Sequence, residues 1–535
     1  MTSAAAATVD AVHIDDAPAT RDAALSTWQA WRWWLPPALL ALLFTLLFID
    51  PFAGDWDALD YTVNSVRGMP SSMLFGRMLF IFTNHAAYRL AHAVFDLPND
   101  QAYLLFKYMV VAECPLAVVG CWRLARELSG SLRTATVAAL MLALSPFFIV
   151  YSGQAMTETP SILLLCLALV VHARGVRARQ AWPVLAGAAL LGLCVNIREP
   201  VGFFGLWLIL APACYGWQLK RRELFLTALA CIIFFVCALA PFATWWLLNV
   251  DNYRAAWYGW VQSMRMESAR HPVSPGNLIP FFGFFLVAAP TALLALPFAA
   301  RREWRERGLT PLLTMALVGL FVNFVLLANY SVVINGRYLL TGLPALVPLA
   351  ADYLTHLWTA RTKNVRRGFV SACALVVSVA LATGSVAYAL ARQTLMNHAS
   401  TKDYRARLAW LPPDAVVMAG GQTVAVNYYR SLGYGHWDTI GTGGGWPGAE
   451  LTPLIEGHLQ TQRRVFLDVD PRLWAMNKWR EQETRALVRL QSRFRFRRVS
   501  GTIYEIRPPD DGAANDDPNL QSLLNQPASG FSFLR

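Results

Sequence analysis

The feature that most constrains this sequence is a series of long apolar segments separated by short polar connections. Of the 535 residues, 56% are hydrophobic and only 15% are charged, which is too little charge to cover a soluble chain of this length. A spanning helix needs about 20 mostly apolar residues, because the hydrocarbon core solvates no backbone group. The pattern therefore predicts a polytopic α-helical membrane protein.

About eleven segments meet this requirement. We predict spans at residues 34–50, 102–121, 134–151, 157–173, 181–196, 200–217, 224–249, 278–299, 310–329, 337–357 and 369–392. Residues 73–95 are also apolar, but they carry Arg77, Asn84 and His85, and a span there would invert every later loop. We predict amphipathic helices along the outer membrane surface for this stretch instead.

Basic residues cluster in every second connection, which sets the orientation by the positive-inside rule. The clusters are Arg123 to Arg133, Arg174 to Arg179, Lys220 to Arg222, Arg301 to Arg307 and Arg361 to Arg367. These loops and the disordered N-terminus, residues 1–30, are then cytoplasmic, and the 51–101 loop is external. The net charge of +12 is explained by these topology signals, so we expect no nucleic-acid partner. The predicted location is a bacterial inner membrane.

The pattern changes after about residue 396. Short apolar runs at Val416 to Met418, Val465 to Leu467 and Thr502 to Ile506 alternate with helical stretches and turn residues. We predict a transmembrane module over residues 31–395, a C-terminal extracytoplasmic (periplasmic) α/β domain over 396–508, and a disordered tail over 509–535.

Carboxylates follow the first span directly. Asp55, Asp57 and Asp60 lie beside aromatic residues in the external loop, where an aspartate would be placed to activate a hydroxyl group. The alternative interpretation is that these acids only cap a surface helix. Asp55 and Asp57 also form a DxD pair, but this pattern is so common that a divalent cation is left open.

Glu158 lies at the outer start of the fourth predicted span, on the same side as Asp55. An acid at that depth is energetically expensive and therefore indicates function. The alternative is a helix N-terminal carboxylate with Thr157 as the cap and Pro160 in the first turn.

Arg198 and Arg337 are isolated cations on the external side, where positive residues are rare. An arginine fork donates two hydrogen bonds to phosphate oxygens, so both residues are candidates for binding a phosphate group. The alternative is pairing with Glu199 or with lipid headgroups. The histidines show no metal-ligand spacing, and the nucleotide, zinc and acyl-enzyme motifs are absent, so no cofactor is predicted.

Over roughly residues 34–510 the chain resembles the GT-C superfamily of polyprenyl-phosphate-sugar-dependent glycosyltransferases. Within it, the chain looks like the bacterial relatives of protein O-mannosyltransferases and of lipid A aminoarabinose transferases. The resemblance is carried by the segments Gly54-Asp55-Trp56-Asp57, Ser145 to Tyr151 followed by Thr157-Glu158-Thr159-Pro160, and Gly336-Arg337-Tyr338 with Pro344. It implies Asp55 as the catalytic base and Tyr338 beside the donor phosphate.

The resemblance also has departures. The closest branches usually show an Asp-Glu pair where this chain has Asp57, and some have more spans, so neither the sugar nor the acceptor is carried over. The resemblance implies an integral-membrane glycosyltransferase of the cell envelope that inverts the anomeric configuration. It also implies Asp55 as the base, and the residues expected to bind substrate are Asp57, Glu158, Arg198, Arg337 and Tyr338. The acceptor is a lipid, a polysaccharide or a protein. Two alternatives stay open: a lipid or lipid-linked-sugar transporter, and a membrane scaffold.

Overall fold

A computed structural model defines the architecture of most of the chain. It describes residues 30–50, 52, 56–70, 77–218, 220–248, 261, 265, 278–329, 336–361, 365–402, 404–419, 423–440, 451–469, 480–509 and 520. The predicted catalytic residue Asp55 lies outside these ranges. So do residues 1–29 and nearly all of the predicted tail, and the predictions made for them are not tested.

Helices make up most of the described chain as far as residue 408. The first ten are α1 (Trp31–Leu47), α2 (Trp56–Arg67), α3 (Met78–Phe95), α4 (Ala102–Ser129), α5 (Leu132–Ala143), α6 (Pro146–Ser152), α7 (Glu158–Ala178), α8 (Ala181–Val195), α9 (Gly205–Cys214) and α10 (Arg221–Leu248). The next are α11 (Leu278–Ala288), α12 (Pro290–Arg307), α13 (Pro311–Asn329), α14 (Leu343–Arg361), α15 (Val365–Lys402) and α16 (Tyr404–Leu408). Two 3-10 segments, Glu199–Phe204 and Gly336–Thr341, precede α9 and α14.

Among the described residues, four helices are long and apolar enough to cross a membrane, and up to six crossings result if each bent helix pair is one span. The single helices are Asn99–Ser129, Glu158–Ala178, Arg221–Leu248 and Val370–Ala391. Shorter apolar helices include α1 and α8. The chain is thus a mostly helical membrane protein, whereas the count of eleven spans stays a prediction.

Two segments that we predicted as single spans are broken. Residues 134–151 form α5 and α6, which meet at 64°, and residues 278–299 form α11 and α12, which meet at 105°. In both places a proline, Pro146 or Pro290, is the first residue of the second helix. Proline lacks the amide donor and its ring clashes with the preceding turn, so the chain changes direction there.

Helices α7, α8 and α10 pack closely because glycines face their neighbours. A Cβ atom on Gly187 would lie 2.6 Å from the backbone nitrogen of His172. Pro241 in α10 leaves the carbonyl of Cys237 without its usual amide donor, and the side chain of Asn196 donates to that carbonyl at 3.1 Å. Asn196, which follows α8, thereby supplies the hydrogen bond that the Cys237 carbonyl in α10 would otherwise lack.

The C-terminal region contains a five-stranded sheet with the order β2-β1-β3-β5-β4. Its strands are β1 (Val416–Met418), β2 (Asp438–Thr439), β3 (Val465–Asp468), β4 (Arg495–Ser500) and β5 (Ile503–Arg507), and its helices are α17 (Thr423–Ser431), α18 (Leu451–Gln460) and α19 (Arg480–Gln491). β1 pairs in parallel with β2 and β3, whereas β5 is antiparallel to β3 and β4.

The sheet region packs directly on the first loop and on the start of α4. The ring of Phe52 lies 4.9 Å from that of Tyr103 in α4 and 5.9 Å from that of Tyr428 in α17. Val417 and Phe466 belong to the same buried cluster. Phe52, which follows α1, is therefore held between α4 and α17.

Candidate active site

Five of the six predicted site residues converge at one end of the bundle. They are Asp57 in the first turn of α2, Glu158 at the start of α7, Arg198 before the first 3-10 segment, and Arg337 and Tyr338 in the second. We call these five residues the arginine–carboxylate network. The sixth, Asp55, lies two residues before Asp57 and outside the described residues.

The centre of the network is a buried ion pair between Arg198 and Glu158. Arg198 Nη1 donates to Glu158 Oε1 at 2.7 Å, and the two side chains are 2% and 1% exposed. Arg198 also donates to the hydroxyls of Thr157 at 3.2 Å and Thr341 at 3.1 Å. A charge pair that is taken out of water is stable only when such additional hydrogen bonds complete it.

The structure gives these residues other partners than the alternative interpretations named. Glu199 does not pair with Arg198; its carboxylate pairs with Arg77 instead. Thr157 makes no side-chain cap at the start of α7, because its hydroxyl accepts from Arg198. Glu158 is still in the first turn of α7, where the helix dipole favours a carboxylate, so capping charge and ion pairing coexist.

Arg337 joins Asp57 to the buried pair. Its Nη2 donates to Asp57 Oδ2 in a close ion pair, and its Nε lies 3.6 Å from Glu158 Oε1. The guanidinium carbons of Arg198 and Arg337 each lie 5.2 Å from the centre of the Tyr338 ring. The Tyr338 ring and Glu158 Oε1 therefore each lie close to both guanidinium groups.

The buried pair keeps unused hydrogen-bonding capacity. Within the described part of the chain, neither Glu158 Oε2 nor Arg198 Nη2 has a hydrogen-bond partner. Leaving such a group unpaired costs about 1–3 kcal/mol. The site is therefore suited to a ligand that supplies both an acceptor for an arginine and a donor for a carboxylate.

Asp57 is held in its ionised form. Burial by itself would raise the pKa of Asp57, but the charge of Arg337 and its hydrogen bond oppose this, with smaller help from Arg77 and Arg198, so the pKa is lowered. A carboxylate with a lowered pKa is a weak proton acceptor near neutral pH. Asp57 is consequently better suited to orienting the arginine than to acting as a base.

Sequence reasoning missed Arg77 as a site residue. Arg77 lies at the start of α3, is 4% exposed, donates to the hydroxyl of Tyr61 at 2.9 Å and pairs with Glu199. Tyr61 lies one turn after Asp57 in α2, and Glu199 follows Arg198 directly. Arg77 thereby ties α2 to the segment that carries Arg198. Arg77 is also an isolated cation on the predicted external side, and this is the feature by which Arg198 was selected.

An apolar cavity of about 320 Å³ lies between α3 and α10. Its lining includes Met78, Phe82, Asn196, Trp245 and Leu248. Met78 follows Arg77 in the chain, and Asn196 is two residues before Arg198. The segments that carry Arg77 and Arg198 thus also contribute to the wall of an apolar space.

The described residues contain no group of three or more His, Cys, Asp or Glu side chains that would hold a metal ion. Asp55 is not among them, so the predicted DxD pair is not tested and a metal requirement stays open.

A family model resembles part of the chain. Residues 85–246 match the family model described as dolichyl-phosphate-mannose-protein mannosyltransferase. Curated protein sequences give no match.

Solved structures resemble the chain over most of its length. The archaeal oligosaccharyltransferase AglB from Archaeoglobus fulgidus, in complex with an inhibitory peptide and a dolichol-phosphate, aligns with a TM-score of 0.53 and 13% identity over 91% of this chain and 76% of its own. ArnT from Cupriavidus metallidurans bound to undecaprenyl phosphate aligns with a TM-score of 0.57 and 15% identity over 89% of this chain and 98% of its own. These likenesses confirm the fold that the resemblance to the GT-C superfamily implied.

Proposed function

We propose that this chain, a membrane protein with the GT-C fold, is a glycosyltransferase that moves a sugar from a polyprenyl-phosphate carrier to an acceptor outside the cytoplasm. The observation that carries the proposal is the convergence of Arg198 and Arg337, from distant parts of the chain, on the single carboxylate of Glu158. Two fixed arginines, together with an apolar cavity whose lining residue Asn196 is two residues before Arg198, match a donor that has a phosphate head and a hydrocarbon tail.

In this proposal the donor phosphate approaches Arg337 and the unpartnered Nη2 of Arg198. Both cations keep their carboxylate partners, so the donor adds hydrogen bonds to a site whose own charges are already balanced. The prenyl chain enters the cavity between α3 and α10, where the lining at Phe82, Trp245 and Leu248 is apolar. Tyr338 keeps the two guanidinium groups in place.

Asp55 is the proposed base. The acceptor hydroxyl attacks the anomeric carbon as the carbon–oxygen bond to the phosphate breaks, and Asp55 takes the hydroxyl proton. The polyprenyl phosphate leaves as an anion that the arginines stabilise, so it needs no strong acid. A single displacement inverts the anomeric configuration. Asp57, which is held ionised by Arg337, orients the arginine and does not compete for the proton.

We propose the topology given by the basic loops: about eleven crossings, a cytoplasmic N-terminus and an external C-terminal domain in a bacterial inner membrane. The contact between Phe52 and Tyr428 supports an external sheet region, since the first external loop and the sheet then lie on one side. No cofactor is invoked, and a divalent cation at Asp55 and Asp57 stays open. The acceptor is a lipid, a polysaccharide or a protein, and membrane lipids surround the helices.

The experiment is transfer of radiolabelled sugar from a panel of polyprenyl-phosphate donors in membranes that contain the wild type, Asp55→Asn or Asp96→Asn. Asp96 is the matched control, because it is exposed in the same loop region and its left-handed backbone (φ 51°) suits asparagine. We expect product from the wild type and Asp96→Asn, and a loss of at least 100-fold for Asp55→Asn.

Equal transfer by the wild type and both variants would show that Asp55 is not the catalytic base. Movement of lipid-linked sugar across the bilayer without product, for every donor and acceptor tried, would favour a transporter, in which the same acids and arginines line a path.

A further inference from the structure

A cluster of arginines lies on one face of the C-terminal sheet, away from the candidate active site. Residues directly opposite each other in a sheet share a face, and Arg497 lies opposite Glu505 while Arg495 lies opposite Arg507. Arg464, just before β3, donates to Glu505 Oε1 at 2.7 Å. We call Arg464, Arg495, Arg497 and Arg507, around Glu505, the arginine face.

The arginine face has a surplus of positive charge. Glu505 is 7% exposed and is neutralised by Arg464 and by Arg507, whose Nη2 lies 2.7 Å from its Oε2. Arg495 and Arg497 make no hydrogen bond or ion pair with any described residue. Four arginines thus surround one acid.

The arginine face continues the surface by which the sheet packs on the bundle. Phe466 lies opposite Glu505, and the guanidinium of Arg464 lies 5.1 Å from the centre of its ring. Phe466 also belongs to the buried cluster that contains Tyr103 and Phe106 at the start of α4. α4 is long and apolar enough to span a membrane. One sheet face therefore contributes Phe466 on β3 to the cluster that includes the start of α4, and presents arginines on β5 and β4.

Neighbouring strands lie about 4.8 Å apart, so Arg497 on β4 is roughly 10 Å beyond β3, the strand that carries Phe466. We propose that the arginine face binds the phosphate groups of anionic lipids beside the helical bundle and so orients the C-terminal domain over the membrane.

Charge complementarity supports this occupant. Arginine forks bind phosphate oxygens with two parallel hydrogen bonds, and a basic surface close to an anionic bilayer is attracted within the Debye length of roughly 8 Å. The inference is independent of sugar transfer, because it requires only that α4 lies in the membrane.

The test is thermal unfolding of the full-length protein in a nonionic detergent, titrated with phosphatidylglycerol or with phosphatidylcholine of the same acyl chains. The variant is Arg495→Gln/Arg497→Gln. The matched control is Arg489→Gln/Arg498→Gln, since Arg498 lies on the opposite face of the same strand and Arg489 is exposed on α19. Both variants lose two positive charges, and neither touches the candidate active site.

We expect phosphatidylglycerol to stabilise the wild type at lower concentration than phosphatidylcholine. Each arginine near an anionic surface strengthens binding about fivefold, so Arg495→Gln/Arg497→Gln should need roughly 30-fold more phosphatidylglycerol. The control should keep the wild-type midpoint, and the phosphatidylcholine curves should coincide.

Equal effects of the two lipids on the wild type, or an equal shift in both variants, would overturn the proposal. The same stabilisation by inorganic phosphate at equal concentration would assign the face to a free anion instead. A lipid preference that arises only after removal of residues 510–535, which include Asp510 and Asp511, would show that the chain's own tail occupies it.

Discussion

The buried pair of Arg198 and Glu158 gives the sharpest prediction on stability. Glu158→Gln keeps the shape of the side chain but leaves Arg198, 2% exposed, without its charge partner. Breaking a buried pair in this way costs about 3–5 kcal/mol. Unfolding entropy of about 2.1 cal/mol/K per residue over 535 residues converts that loss to a fall in Tm of roughly 3–5 °C.

The reasoning depends on the unpaired charge and can be tested by removing that charge as well. Arg198→Met/Glu158→Gln should recover most of the lost stability, because removing both charges leaves no unpaired ion of this pair in the interior. The assay is thermal unfolding of the purified full-length protein in detergent at one ionic strength. If the double variant is as unstable as the sum of the two single variants, the residues do not act as a pair and the reasoning is refuted.

Further predictions concern packing and pH. Asn196→Leu should destabilise the protein by about 1–3 kcal/mol, and less in a Pro241→Ala background where the carbonyl regains its amide donor; a denaturation series in both backgrounds checks this. Gly187→Ala should lower Tm because α7 and α8 must separate, whereas Gly283→Ala, with open space around the added methyl group, should not. The pKa of Asp57 is lowered on folding, so its stabilising effect is complete above its unfolded value of about 3.8 and is lost only as the pH falls further. The Tm difference between the wild type and Asp57→Asn should therefore be constant from pH 8 to 5, and a difference that shrinks near pH 6 would contradict the ion pair.

Topology and chemistry together selected, from the sequence, charged residues that come together in the structure. Glu158, Arg198 and Arg337 were selected because charges are costly at the outer ends of spans, and all three meet in the structure. Their partners were not predictable, since Arg198 and Thr341 are 143 residues apart and Asp57 and Arg337 are 280 residues apart. Only packing of the helices decides which charges meet.

Helix breaks and sheet order also exceeded what the sequence could predict. Prolines are tolerated inside spanning helices, so Pro146 and Pro290 by themselves do not distinguish a straight span from one bent by 64° or 105°. The short apolar runs that became β1, β3 and β5 were recognised. Their neighbours in the sheet depend on contacts between distant segments, which periodicity does not encode.

The most direct test of the central claim, that the arginine–carboxylate network receives the donor phosphate, is the donor dependence of sugar transfer by Arg337→Gln. A lost hydrogen bond to a charged group is worth about 1.5–3 kcal/mol, so the donor KM should rise roughly 10- to 150-fold while the acceptor KM stays unchanged. An unchanged donor KM in a correctly folded Arg337→Gln variant would contradict the claim, and the network would then be a structural clamp.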